Sequence, residues 1–459
     1  MRDWGLGTRD WGALSVIGVH WQPALLRNNI ARYLYVLVTR CIYKLLSPVP
    51  SPQSLVPFLL LFSPSLYAIT FDTPPLLVPY VLTVPEITSQ AAVLVDAETG
   101  NVLYAKNPHA EIPPASLTKL MTTHLILKEV NAGRASLDEI VPVRIESWAQ
   151  RQPPRSSLMF LAPGQIVTLR EIILGLSVSS GNDAAVAAAL RVAPSVTDFS
   201  AMMTQEARRM GLAKTSFVEP SGISEYNMTT AAEFTIFCRQ YLRMYPWSLA
   251  EFHSVREFAY PKAANVAEAF RDNPKTIVQA NRNSLLRTFP GADGLKTGYI
   301  DEAGFNIALT AQRNNTRFIA VILGAPAGPG GDRIRDRDGE RLLSWAFANF
   351  KTVRPIPIPL EPVRLWKGKE KRVELQLAEQ SDINPLVFTA PLNRAGNIHY
   401  RAAVDEPLIA PLPARYPVGW LIIADESGEL HRAPLFTAQS YQQGNIFRRI
   451  WDSVRLLFF

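Results

Sequence analysis

The alternation of apolar and polar positions divides the chain into stretches of different character. Between Ala91 and Lys106, apolar runs flank Thr99-Gly100-Asn101, which predicts two strands joined by a tight turn. From there to about Met244 the spacing is helical. Leu120, Met121, Leu125 and Ile126 line one segment and Leu169, Ile172, Ile173 and Leu176 a second, and an alanine-rich helix begins near Ala184. Strand patterning returns at Phe305 to Gln312 and at Thr316 to Leu323, with Asn314-Asn315 as the hairpin turn between them. A further helix is predicted over Arg341 to Phe350.

Near Thr352 the pattern changes. Pro355, Pro357 and Pro359 make a stiff connector, Arg372 to Leu377 alternates, and Pro and Gly punctuate the chain to about Ala438. The expected organisation is an α/β (α+β) domain over 84–352 and a small all-β domain over 353–440. In 445–459, Ile446, Phe447, Ile450, Trp451, Val454, Leu457 and Phe458 recur at helical spacing, while Arg448, Arg449, Asp452, Ser453 and Arg455 take the other side. A helix with an aromatic face and a basic face suits a membrane interface, and docking on the protein's own core is the alternative.

The first 68 residues differ again. Arg27, Arg32, Arg40 and Lys44 precede the proline-broken apolar stretch from Leu55 to Tyr67, which exits at Ala68. That arrangement reads as an export signal, and the stretch falls short of the roughly 20 residues a spanning helix needs.

Composition adds exclusions. Of 459 residues, 47% are apolar and 19% charged, an ordinary globular balance that at this length favours two folded domains. The formal charge of +7 suits an anionic surface, but no run of Lys and Arg interleaved with aromatics suggests a nucleic-acid groove. Two cysteines, Cys41 and Cys238, give no disulfide framework, and the six histidines show no ligand spacing for a metal.

Three short motifs carry candidate chemistry. Ser116-Leu117-Thr118-Lys119 opens a helix, so Ser116 and Lys119 share a face. A serine hydroxyl becomes a useful nucleophile when a neighbouring base takes its proton, and a lysine serves once burial lowers its pKa. The free N–H groups at the helix start face any negative charge that forms there. Ser180-Gly181-Asn182 falls in a turn between helices, where a hydroxyl and an amide can relay a proton and hold a substrate amide. Lys296-Thr297-Gly298, before the strand at Phe305, offers a cation, a hydroxyl and an unhindered backbone to an extended peptide. Each motif alone is commonplace; the three in this order form the signature of penicillin-recognising serine enzymes.

The chain from about Val84 to its end resembles the low-molecular-mass D-alanyl-D-alanine carboxypeptidases of the penicillin-binding protein 5/6 type. Ala91–Asp96, Pro114–Thr122, Ser156–Gly164, Ser180–Ala184, Asp293–Gly298 and Leu342–Phe347 all carry that resemblance. It implies a penicillin-binding/β-lactamase-like transpeptidase fold, then a small all-β domain and a C-terminal amphipathic helix. It implies that Ser116 forms an acyl-enzyme with peptidoglycan stem peptides or β-lactams and that Lys119 is the base. Ser180 and Asn182 then pass protons and hold substrate, and Lys296 and Thr297 bind the terminal carboxylate. Gly298 completes the motif, and the N–H groups of Ser116 and Tyr299 form the oxyanion hole. No metal or organic cofactor is implied. The location implied is the outer face of the cytoplasmic membrane, by export and peripheral anchoring of the terminal helix on an anionic surface.

Two features depart from the family pattern. Tyr299 follows the third motif where histidine is common, and the loop beginning at Ala325 leaves Arg333 and Arg335 both open as the carboxylate-binding arginine. Two other readings use the same residues. A class A β-lactamase shares the first and third motifs, but the second motif here is Ser-Gly-Asn and no loop clearly presents a deacylating glutamate. A catalytically silent peptidoglycan-binding protein needs a defect that the five polar motif residues do not show. Endopeptidase activity is compatible with the same site.

Overall fold

The computed structural model describes residues 84–377, 384–394 and 396–459; the expected export signal over 1–68 lies outside them. A five-stranded antiparallel sheet forms the centre. Its strands are β1 (Ala91–Asp96), β2 (Val102–Lys106), β3 (Ala292–Ile300), β4 (Gly304–Arg313) and β5 (Thr316–Ala325), in the order β2-β1-β5-β4-β3. The two hairpins read from the sequence are those of β1–β2 and β4–β5.

Both faces of the sheet are covered, so its central strands are apolar on both sides. Val93, Val95, Ile319, Val321 and Leu323 point into one core with the helices α1 (Thr118–Asn131), α2 (Asn182–Val192), α3 (Val196–Arg209) and α4 (Ala231–Met244). The alternate residues Ala92, Leu94, Ala320 and Ile322 meet Leu342, Leu343 and Ala346 of α5 (Gly331–Asn349) on the other face. This period of two places a helical layer on each side of the sheet.

Helix α5 begins ten residues before the helix expected at Arg341, and Phe350 already belongs to a strand, Phe350–Val353. Its first half, Gly331 to Glu340, is dense in Arg and Asp and shows no apolar stripe, which hid it in the sequence. Those polar residues have partners instead: Asp338, fully buried, accepts hydrogen bonds from the Ser89 hydroxyl and the Thr88 and Ser89 amides.

The C-terminal region is all-β, around a third core of Leu365, Val373, Phe388, Leu421, Ile423 and Leu435. Its strands include β6 (Val363–Trp366), β7 (Arg372–Val373), β8 (Leu375–Leu377), β9 (His399–Val404), β10 (Pro417–Asp425) and β11 (Gly428–Thr437). The alternating stretch Arg372 to Leu377 forms two short strands. β7 pairs with β6, β8 pairs with β11, and between them the Glu374 amide donates to Tyr441 Oη at 2.7 Å.

The terminal helix α6 (Ile446–Arg455) is held to the β region through its polar side. On its polar side Asp452 is buried and accepts a hydrogen bond from the Lys367 amide at 2.7 Å. Arg448 donates to the carbonyls of Lys369 and Glu370. The apolar side faces outward: Phe447 is 81% exposed, Trp451 63% and Phe458 87%.

Candidate active site

Ser116 sits in a single 3-10 turn, Ala115–Leu117, that leads directly into α1. The turn projects its hydroxyl into a cleft, while Lys119 in the first turn of α1 is fully buried behind it. Lys119 Nζ lies 3.1 Å from Ser116 Oγ, 2.8 Å from Asn182 Oδ1 and 2.6 Å from the Ser221 carbonyl oxygen. The latter two are pure acceptors and hold two N–H bonds of the amine. In a neutral amine those are all the N–H bonds there are, so the lone pair points to the remaining neighbour, Ser116. Burial lowers the Lys119 pKa to about 7, against the opposing pull of Glu219 and Asp183.

The second motif follows an abrupt change of helix geometry. The helix Leu169–Leu174 starts with a Thr168/Glu171 capping box and widens to a π-turn over Gly175–Ser179. Ser180 is left-handed, with φ 59°, and Asn182 begins α2. That break turns Asn182 toward Lys119 of α1 and Ser180 into the cleft. Asn182 Nδ2 donates to Ser156 Oγ at 3.0 Å, so one amide joins Lys119 to the cleft wall.

The third motif lies on β3, the edge strand beside the cleft. Lys296 Nζ donates to Ser180 Oγ at 3.0 Å and to the Thr297 carbonyl at 2.8 Å. Burial first, then the charges of Lys119, Arg282 and Arg335, push its pKa well below the ordinary lysine value. Gly298 is required by a close approach: a Cβ there would stand 2.9 Å from the Pro114 carbonyl oxygen and 3.0 Å from the Ser116 nitrogen. Tyr299 stacks on Phe305 with ring centroids 4.2 Å apart and donates its hydroxyl hydrogen bond to Asp301.

All eight motif residues therefore converge. A cleft of about 350 Å³ is lined by Ser116, Ser180, Thr297, Gly298 and Tyr299, with Arg282 and Arg335 at the same wall. Of the two arginines left open by the sequence, Arg335 borders the cleft, held by Asp336 at 2.6 Å, and Arg333 is not among its lining residues.

Sequence reasoning missed four contributors. Asp183 is buried, and its carboxylate accepts from the amides of Met159, Phe160 and Leu161 at 2.8 to 2.9 Å. It thereby fixes the segment that brings Ser156 and Ser157 to the cleft; its position directly after Asn182 was the available signal. Glu219 accepts from the Ser221 amide and from Asn227, shaping the loop whose Ser221 carbonyl holds Lys119. Gly222, with φ +84°, lets that loop pass Ala115, whose carbonyl oxygen would lie 1.8 Å from a Cβ. Arg282 had no sequence signal, because nothing in its neighbourhood marks it as facing a cleft 14 residues before Lys296.

A serine, a buried lysine of lowered pKa and a wall of cations, between a helical layer and an edge strand, define a serine acyl-transfer enzyme of the penicillin-binding protein type. Residues 80–327 match the D-alanyl-D-alanine carboxypeptidase family. The chain is 31% identical over 408 residues to the D-alanyl-D-alanine carboxypeptidase DacC of Escherichia coli, a match covering 87% of this chain and 94% of that relative. It is 32% identical over 378 residues to DacD of the same organism, covering 80% and 90%. Penicillin-binding protein 5 from Haemophilus influenzae superposes with a TM-score of 0.68 at 28% identity, covering 79% of this chain and 100% of that one. Penicillin-binding protein 6B from Escherichia coli gives 0.59 at 29% identity, covering 78% and 98%. The chain belongs to the D-alanyl-D-alanine carboxypeptidase family, and it is a serine peptidase of peptidoglycan metabolism.

Proposed function

We propose that the enzyme removes the terminal D-alanine from stem pentapeptides through an acyl-enzyme on Ser116. Ser116 Oγ attacks the carbonyl carbon of the penultimate D-alanine as its proton passes to Lys119 Nζ. The oxyanion that forms faces the N–H groups of Ser116 and Tyr299. When it collapses, the C–N bond breaks and the leaving amine takes the proton that Lys119 had accepted, relayed through Ser180, whose hydroxyl stands between the cleft and Lys296, so that Lys119 is neutral again. Water then cleaves the ester, with Lys119 again taking the proton.

The observation that carries this reading is the pairing of Lys119 with Ser116 at 3.1 Å while Asn182 and the Ser221 carbonyl accept both N–H bonds of the neutral amine. Lys296 and Thr297, with Arg282 and Arg335 at the same wall, give the free carboxylate of D-alanine its site. A β-lactam ring presents a strained amide and a carboxylate to these groups and acylates the same serine.

Residues 84–352 are read as the catalytic domain and 353–440 as a β domain. The exposed aromatic face of α6 supports peripheral anchoring on the outer face of the cytoplasmic membrane, after export directed by residues 1–68. Among the described residues no helix is long and apolar enough to cross a membrane.

The test is intact-mass measurement of the purified protein after a fluorescent penicillin, beside Ser116→Ala, with D-alanine release from diacetyl-Lys-D-Ala-D-Ala. One adduct, absent in the variant, together with D-alanine release is the expected result. Rapid penicillin hydrolysis without D-alanine release would identify a β-lactamase instead, and neither reaction in folded protein would leave a silent binding protein.

A further inference from the structure

The β6–β7 hairpin and α6 are built as one body. The Lys367 amide donates to Asp452 Oδ2, the Gly444 amide to the Lys367 carbonyl, and the Lys369 amide to the Gln442 carbonyl. Arg448 donates to the carbonyls of Lys369 and Glu370 at 3.1 and 3.0 Å. At the far end the Phe459 ring meets Trp366 edge-on at 5.2 Å, and Arg364 lies over the other ring system of that pair, 3.6 Å from the Trp366 centroid. Every one of these links uses the polar side of the helix or its end, so the helix cannot turn its aromatic side onto the protein's own core without leaving the hairpin, and that side is left facing outward.

The hairpin is also strongly basic. Between Arg364 and Arg372 stand five cations, Arg364, Lys367, Lys369, Lys371 and Arg372, against the single carboxylate of Glu370. Lys369, Lys371 and Arg372 are exposed. Lys367 lies in a shallow surface groove with Ile446, Arg449, Ile450 and Val454, which sets basic side chains directly beside the apolar ones. Aromatic groups enter the acyl boundary of a bilayer while cations beside them remain at the headgroup level. A basic patch contributes only where the facing lipids are anionic.

We propose that the β6–β7 hairpin is a second, electrostatic membrane contact, which reads anionic phospholipid headgroups while α6 enters the apolar layer. Asp452 and Arg448 fix the two contacts in one orientation, so the helix is a rigid foot of the β region and not a free tether. This rests on the reading of α6 as a membrane anchor and adds to it a lipid preference and a defined depth for the hairpin.

The test uses the full chain with Cys41→Ser, which leaves only the buried Cys238 as a native thiol. A fluorophore is placed at Glu370→Cys on the hairpin or Ser453→Cys on the helix, and quenching is read from vesicles carrying a headgroup nitroxide. Both sites are expected to be quenched on vesicles containing phosphatidylglycerol, and the hairpin site weakly on pure phosphatidylcholine. Quenching at position 453 without quenching at 370 overturns the proposal and leaves the anchor reading intact. Quenching at neither site overturns both. Flotation of Lys367→Gln/Lys369→Gln/Lys371→Gln supplies the second measurement. It is expected to show about a hundredfold weaker partitioning onto anionic vesicles, roughly fivefold for each charge removed, and unchanged partitioning onto neutral ones. Equal partitioning of this variant and the parent on anionic vesicles also overturns the proposal.

Discussion

Lys119 Nζ lies 2.8 Å from Asn182 Oδ1, although 63 residues separate the two in sequence. The contact takes one amine hydrogen away from Ser116 and fixes the direction of the nitrogen lone pair. It also joins the first two motifs physically: the base of one is oriented by the amide of the other.

The pH dependence of acylation follows from that geometry. Only the neutral amine can take the Ser116 proton, and burial holds the Lys119 pKa at about 7. The rate of penicillin acylation should therefore rise with pH through about 7 and level off above it. Lys119→Met should lower the rate by roughly 10²–10⁴, the usual contribution of a general base, and abolish the inflection. A stopped-flow pH profile of both proteins checks this. A flat profile in the parent would remove Lys119 as the base.

A second pH effect concerns stability and arises behind the site. Glu206 of α3 is buried, which by itself would raise its pKa, but Arg209, His124 and Lys128 hydrogen-bond to it and hold it far below the ordinary carboxylate range. A depressed folded-state pKa means the stabilisation is fully present above the unfolded value of 4.5 and is lost as pH falls from there through the folded value. Glu206→Gln should cost roughly 1–3 kcal/mol at pH 7, the range for removing a charged hydrogen-bonding partner. The gap to the parent should narrow as the solution is acidified below 4.5. Urea titrations across that range measure it, and a gap that widens on acidification would contradict the assignment.

The sequence made the reacting groups legible because each motif is a short local pattern. Ser116 and Lys119 share a helical face, Lys296 to Gly298 lie along a strand, and both periodicities can be counted. The fold class was legible for the same reason, from hairpin turns at Gly100 and Asn314 and from helical stripes between them. The supports were not. Asp183 acts on amides 22 to 24 residues upstream, and Glu219 on a loop that reaches Lys119 across about a hundred positions. Such contacts depend on tertiary packing, and no periodicity carries them. The first half of α5 was missed because its polar residues have partners in the fold, and the docked side of α6 because a charged residue, Asp452, is the buried one.

Asp183 supplies a sharp test of those supports. Both carboxylate oxygens accept backbone amides, Oδ1 from Met159 and Oδ2 from Phe160 and Leu161. Asn in its place keeps one acceptor and turns an NH₂ group toward the amides on the other side, leaving buried donors opposed. Asp183→Asn should lower stability by roughly 2–4 kcal/mol and slow acylation, because Ser156 and Ser157 lose their fixed position. Thermal unfolding, beside acylation rates measured at a temperature where the variant is folded, separates the two effects. An unchanged acylation rate in the folded variant would show that the segment is held by other contacts.

Gly298→Ala tests the approach of β3 to the nucleophile. The added Cβ would stand 2.9 Å from the Pro114 carbonyl oxygen and 3.0 Å from the Ser116 nitrogen, and both neighbours are backbone. Neither can rotate aside, so relief requires β3 to move away from the Ser116 turn by a few tenths of an ångström. That shift widens the gap between the N–H groups of Ser116 and Tyr299, whose spacing sets how well an oxyanion is held. Loss of one such donor typically costs 10²–10³ in rate, and a partial misplacement should cost about tenfold to a hundredfold. The strand itself remains paired with β4 along its length, so global stability should fall by no more than about 1–2 kcal/mol. Acylation rates measured beside urea titrations therefore separate geometry from folding. If Gly298→Ala acylates at the parent rate, the close passage of β3 does not position the oxyanion donors.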